Sequence, residues 1–133
     1  MFIANNELKI VEIETYVELE DKVKIGEVLT NAALGLFGIV GGEAPTNFNI
    51  ALTDKNLYIE AIGLSEWGRL PESKYVETIP LEQIKLFNVT NDGNKELIEI
   101  KTTRHKSYNF IRDNFEGDNL AAQMAKNINN DYE

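Results

Sequence analysis

The sequence predicts a mainly β (α+β) fold: a sandwich or partly open barrel of about seven antiparallel strands, with a C-terminal capping helix and an extra N-terminal helix. Three observations point there. Between Asn49 and Phe115, Ile50, Leu52, Leu57, Ile59, Ile79, Leu81, Ile84, Leu86, Leu97, Ile98, Ile100, Tyr108 and Phe110 fall in short runs divided by turn residues. Short alternating runs of this kind are the signature of a folded antiparallel sheet. Asn91-Asp92-Gly93-Asn94 lies between two of them and is the strongest hairpin signal in the chain. In two places the apolar period changes to three and four, which marks helices instead.

The elements follow in order. From Leu8 to Leu19, Val11, Ile13, Val17 and Leu19 share one register and Glu12, Glu14 and Glu18 the other, which reads as a strand, although a helix would also bring Ile10, Ile13 and Val17 together. Ile25, Val28, Leu29, Ala32, Ala33, Leu36, Phe37 and Val40 then form a helical stripe. Asp21 is suited to cap that helix and Gly41-Gly42 to stop it. Gly26, Gly35 and Gly38 weaken it, at about 1 kcal/mol each relative to alanine. Phe48 to Leu52 and Leu57 to Ile62 flank Thr53-Asp54-Lys55-Asn56, whose side chains suit a tight turn. Tyr75 to Ile79 follows a looser connection, and Pro80, lacking an N–H, interrupts the ladder. Ile84 to Thr90, Glu96 to Thr102 and Lys106 to Ile111 complete the strands, the last after a Thr103-Arg104-His105 turn. Asp118 is placed to cap a final helix with Leu120, Ala121, Met124, Ala125 and Ile128 on its apolar face.

With 133 residues the chain is expected to be a single domain over 1–133, with 20–47 a helical, glycine-rich insertion before the main strands. Residues that are 43% hydrophobic and 26% charged describe a globular composition. Disulfides are excluded, because there is no cysteine. Met1-Phe2-Ile3-Ala4 lacks the basic flank of a signal peptide, so the expected location is cytoplasmic. The apolar stretch Val28 to Val40 is too short for a bilayer span of about 20 residues. A net charge of -9 repels polyanions, so no nucleic-acid partner is expected.

Ile50-Ala51-Leu52-Thr53-Asp54-Lys55-Asn56-Leu57-Tyr58-Ile59 resembles a hairpin of bacterial pleckstrin-homology-like and GRAM-like domains. Ile79-Pro80-Leu81-Glu82-Gln83-Ile84 is similar to the step that follows it in those domains. The resemblance spans Phe48 to Ile128 and implies two nearly orthogonal antiparallel sheets closed at one corner by the C-terminal helix. The glycine-rich stretch before Phe48 matches no motif of the family.

Candidate sites are sparse. His105, the single histidine, sits between Arg104 and Lys106, cations that repel metals, so it reads as a surface turn residue. Ser65, Ser73 and Ser107 have no nucleophile setting. Glu12/Glu14 and Glu18/Glu20 each share a strand face, but no further ligands fall at recognisable spacing, so they read as a solvated face. Gly35, Gly38, Gly41 and Gly42 do not make a phosphate loop. No catalytic, cofactor-binding or metal-binding residue is therefore assigned. Trp67, in a glycine-flanked loop, suits either a binding anchor or a plug. Lys101, Arg104, Lys106 and Arg112 gather around one hairpin as a candidate anion-binding patch; phosphoinositide-binding relatives use basic loops, but Thr53 to Asn56 offers only Lys55.

The function these readings favour is a non-enzymatic binding or scaffolding domain making protein–protein contacts through Val28, Leu29, Leu36, Phe37 and Trp67, with self-association as one form of contact. The alternative is a membrane-surface or anionic lipid-binding module using the same stripe. Both rest on a sheet sealed by the last helix, where burying Leu120, Met124 and Ile128 contributes about 1.5 to 3 kcal/mol each. Met124→Asp is accordingly expected to abolish the cooperative thermal transition; a melt like the parent's would remove the capping role.

Overall fold

The computed structural model describes residues 3, 4, 6–17, 47–64 and 71–130. The expected helix over Asp21 to Gly42, residues 20–46 of the expected insertion, the Val28, Leu29, Leu36 and Phe37 stripe and Trp67 lie outside the described residues. Within them, alternation has become pairing. β1 (Lys9–Tyr16) turns Ile13 and Thr15 inward, both buried, and Glu12 and Glu14 outward. It pairs with β2 (Asn47–Thr53) from Val11↔Leu52 to Tyr16↔Asn47, with a bulge between Lys9 and Val11. β2 continues into β3 (Asn56–Leu64) across Asp54-Lys55.

β4 (Pro71–Pro80) is longer than the alternation from Tyr75 to Ile79 suggests. It is an edge strand, so a proline at each end costs no ladder bond, and Pro80 closes the strand opposite Asn56. A single 3-10 turn (Leu81–Gln83) leads into β5 (Ile84–Asp92), which pairs with β6 (Lys95–Thr102) through a Gly93-Asn94 turn. Gly93 has φ +61°, the left-handed conformation that this turn requires and glycine adopts freely. β7 (Ser107–Asp113) pairs with β6 from Lys101↔Ser107 to Lys95↔Asp113. The chain ends its regular structure in α1 (Leu120–Asn130).

All seven strands are antiparallel and hydrogen-bonded in one sheet of order β4-β3-β2-β1-β7-β6-β5. The sheet coils upon itself. Lys106, at the start of β7, places Nζ 3.3 Å from Glu77 Oε1 of β4. Flat, those strands would lie about 19 Å apart at the usual strand spacing. One core fills the coil, with Ile13, Phe48, Ile50, Leu57, Ile59, Phe87, Ile98, Ile100, Tyr108 and Phe110 meeting Ala121, Met124 and Ile128 of α1. The helix thus covers the corner as its periodicity predicts.

Two buried threonines build matching turns. Thr53 Oγ1 accepts the N–H groups of Lys55 and Asn56, and Thr102 Oγ1 those of Arg104 and Lys106. Thr53 also donates to Glu7 Oε1 at 2.6 Å, and Glu7 accepts further bonds from Asn56 Nδ2 and the Tyr58 hydroxyl. Leu8 and Asp54 exchange two more, Leu8 N to Asp54 Oδ1 and Asp54 N to Leu8 O. The approach to β1 is thereby strapped to the β2–β3 turn.

The hydroxyl of Thr53, then that of Tyr58, hold the Glu7 carboxyl below its ordinary 4.5. A depressed carboxylate stabilises the fold fully above its unfolded value and loses that contribution as pH falls through the folded one. Urea titrations between pH 3 and 7 are therefore expected to show the parent losing stability on acidification below about 4.5. Glu7→Gln should be less stable than the parent at pH 7 and fall less steeply; parallel curves would remove the strap from the account.

Candidate functional site

Along β6 the inward positions run Glu96, Ile98, Ile100 and Thr102, and along β7 Tyr108, Phe110 and Arg112. Hairpin register sets Glu96 directly opposite Arg112. Glu96 is 0% exposed and Arg112 8%, so each charge is tolerable only because the other compensates it. Arg112 Nη1 donates to Glu96 Oε1 and to Asn114 Oδ1, and Nη2 to Asp118 Oδ1 at 2.7 Å. Burial opposes the guanidinium's charge, but Asp118 and Glu96 outweigh it and the pKa rises. The Asp118 carboxyl is held low, chiefly by Arg112.

The same Glu96 carboxylate reaches the start of α1. Its Oε1 accepts the N–H of Ala121 at 3.2 Å and its Oε2 that of Ala122 at 2.9 Å. Two orphan donors of the first turn are so satisfied by a residue from a neighbouring strand, where the helix's positive end also favours an anion. Asn119, at φ +54°, gives its carbonyl to Gln123 N at 2.9 Å as the last residue before the helix. The Asp118 carboxyl, the cap expected from sequence, accepts the N–H of Leu120, and Glu96, which sequence reasoning missed, takes the next two. The available signal was a lone acid and a lone base in the apolar registers of consecutive strands.

Where this junction turns the chain out of β7, a groove opens. Its volume is about 470 Å³, and it is lined by Glu12, Ile13, Glu14, Thr15, Tyr16, Asn47, Arg112, Asp113 and Leu120. Five consecutive residues of β1 take part; because strand side chains alternate faces, such a run means that the groove follows the strand's edge. That edge is open among the described residues: β1 pairs with β7 through Tyr16↔Ile111, whereas its other edge is paired along its length. Two residues on from that pair, Asp113 stands opposite Glu14 in register, and like charges facing one another oppose closure. The Tyr16 hydroxyl donates to Asp113 Oδ1 at 3.1 Å, and Lys95 Nζ lies 6.0 Å from the Tyr16 ring centroid.

The residues named from sequence are dispersed. Glu12 and Glu14 come to the groove as outward-facing neighbours, Glu12 with Lys9 Nζ at 3.2 Å. His105 is exposed in the β6–β7 turn at φ +65°. Lys101, Arg104 and Lys106 cluster at that turn, where Lys106 pairs with Glu77 and Lys101 Nζ lies 4.0 Å from Glu99. Arg112 is at the opposite end of the ribbon, about 17 Å away at 3.3 Å per residue, and enclosed by carboxylates. It does not join the other three. No group of three or more His, Cys, Asp or Glu able to hold a metal occurs among the described residues, nor any helix long and apolar enough to cross a membrane. No protein-family model, curated protein or solved structure matches the chain.

Glu96→Gln keeps the volume but gives the site one acceptor oxygen where three donors converge. Loss of one partner of a buried pair costs about 3 to 5 kcal/mol. A fall of that order in unfolding free energy is expected by urea denaturation, with α1 losing amide-exchange protection first; a change under 1 kcal/mol would show that the junction is dispensable.

Proposed function

We propose that this chain is a non-enzymatic binding domain of the pleckstrin-homology-like type, working through protein contacts. Support for the type comes from the order of elements: four antiparallel strands, then three, then a helix over the corner, joined through β1. Six of those strands and the helix fall in the stretch from about Phe48 to Ile128 that carries the resemblance.

The observation that carries the binding reading is the open edge of β1 beside a groove of about 470 Å³. Unpaired strand edges attract further chain, and monomeric proteins ordinarily cover or pair them. Here the edge is accompanied by fixed hydrogen-bonding groups, Tyr16, Asn47 and Asp113, and by the half-buried Leu120. Main-chain pairing with such an edge supplies affinity and the flanking side chains supply selectivity. The basic turn offers less: Lys106 is already compensated by Glu77, and Arg112 by Glu96 and Asp118.

A random-peptide display library panned against the folded chain tests this reading. Convergent peptides that bind the folded chain with micromolar Kd, and not the heat-unfolded chain, are the expected result. Several rounds with no enrichment over the unfolded control would refute it.

A further inference from the structure

We infer that the groove takes an extended peptide segment with lysine or arginine at alternate positions, which adds to the open edge of β1 as an eighth strand. This rests on the binding-domain reading and names the chemistry of the partner. In an antiparallel strand every second residue directs its N–H and C=O away from a given neighbour. Between Lys9 and Ile13 those outward groups meet no β7 residue and no other strand among the described residues, because β7 ends at Asp113, level with Glu14, and the chain turns toward α1. The edge is therefore a template for one further strand.

Charge selects the occupant. Glu12 and Glu14 lie on one face, two residues apart, and Asp113 stands across the groove from them. A partner strand with cations two residues apart matches that spacing, since its own side chains repeat with the same period. At Glu12 the existing compensation is weak, because the Lys9–Glu12 pair is exposed and exposed pairs exchange readily, while Lys95 stands opposite Asp113 in the β6–β7 ladder. Arg112, the cation nearest the groove floor, is already shared among Glu96, Asp118 and Asn114.

Apolar contact continues the strip. Leu8 is 71% exposed, and Ile10, the extra residue at the bulge, 45%. Partner residues beyond its cations would thus find apolar surface at the start of β1. A second copy of this chain is the poorer occupant. Antiparallel pairing of two β1 edges about Ile13 sets Glu12 of each against Glu14 of the other, and a net charge of -9 per chain adds to the repulsion.

The test is an amide-resolved NMR titration of the ¹⁵N-labelled full chain with acetyl-Lys-Val-Lys-Val-Lys-amide and with its glutamate counterpart. The lysine peptide is expected to shift amides of Lys9 to Tyr16 and Asp113 and to slow their exchange, with affinity falling as salt is raised. Glu12→Gln with Glu14→Gln should weaken it at least tenfold, and the glutamate peptide should not bind. Equal binding of both peptides, shifts elsewhere in the sheet, no shift at millimolar peptide, or dimerisation of the chain through β1 would each overturn the inference. In those cases convergent display binders seated elsewhere would leave the binding-domain reading standing, whereas an empty display selection would remove that reading itself.

Discussion

The structure turns on one buried carboxylate. Glu96 compensates Arg112 in the inward register of the β6–β7 ribbon and, with the same two oxygens, receives the first N–H groups of α1. A charge wholly removed from water is costly unless its lone pairs are used, and here they are used by three donors from two other segments, β7 and α1. Sheet edge, connecting turn and helix entry are therefore fixed by a common anchor. Arg112 extends the anchor to Asn114 and Asp118, the residues that steer the chain out of β7. Docking the helix and ending β7 are the same event.

Ending β7 at Asp113 has a consequence on the other side of the sheet. β1 belongs to both halves of the molecule, yet among the described residues its ladder to β7 is the Tyr16–Ile111 bridge. Cohesion between the halves comes instead from side chains: Phe48 and Phe110 rings 5.0 Å apart, the aliphatic cluster around Ile50 and Ile100, and α1 spanning the corner. Hydrophobic burial is non-directional, so it holds the halves together without requiring that the seam be zipped. An edge can stay open there at little cost to the fold.

Much of this was legible in the sequence, and for identifiable reasons. Strands with one buried face carry a period of two, and turns that need positive φ or side-chain hydrogen bonds carry Gly, Asn, Asp and Thr. Gly93-Asn94, Thr53 and Thr102 therefore mark the hairpins, and Leu120, Met124 and Ile128 mark the buried face of α1. The extent of β4 was hidden because local apolar content, from which strand ends are read, says nothing about sheet position; prolines exclude a central strand but not an edge. Arg112 looked like one of four neighbouring cations because distance along the chain hides facing direction. Its place in the alternation with Tyr108 and Phe110, opposite Glu96, separates it from Lys101, Arg104 and Lys106. The groove was invisible for a deeper reason: it is defined by where pairing stops, and no residue type encodes an absent neighbour.

Openness of the seam is reinforced from its two sides. Glu7, bonded by Thr53, Asn56 and Tyr58, ties the entrance of β1 to the β2–β3 turn, and the Leu8–Asp54 exchange repeats the tie one residue on. These bonds draw β1 toward β2 and away from β7. Across the groove, Arg112 and Asp118 draw the chain after β7 toward the helix. Closing the seam would have to break one set or the other, and would bring Glu14 against Asp113. The unpaired edge is thus held apart by two polar anchors that each satisfy buried or half-buried groups elsewhere, and the carboxylates left along it are the ones that closure could not accommodate. The strand proposed above, carrying the opposite charge, would meet no like charge there.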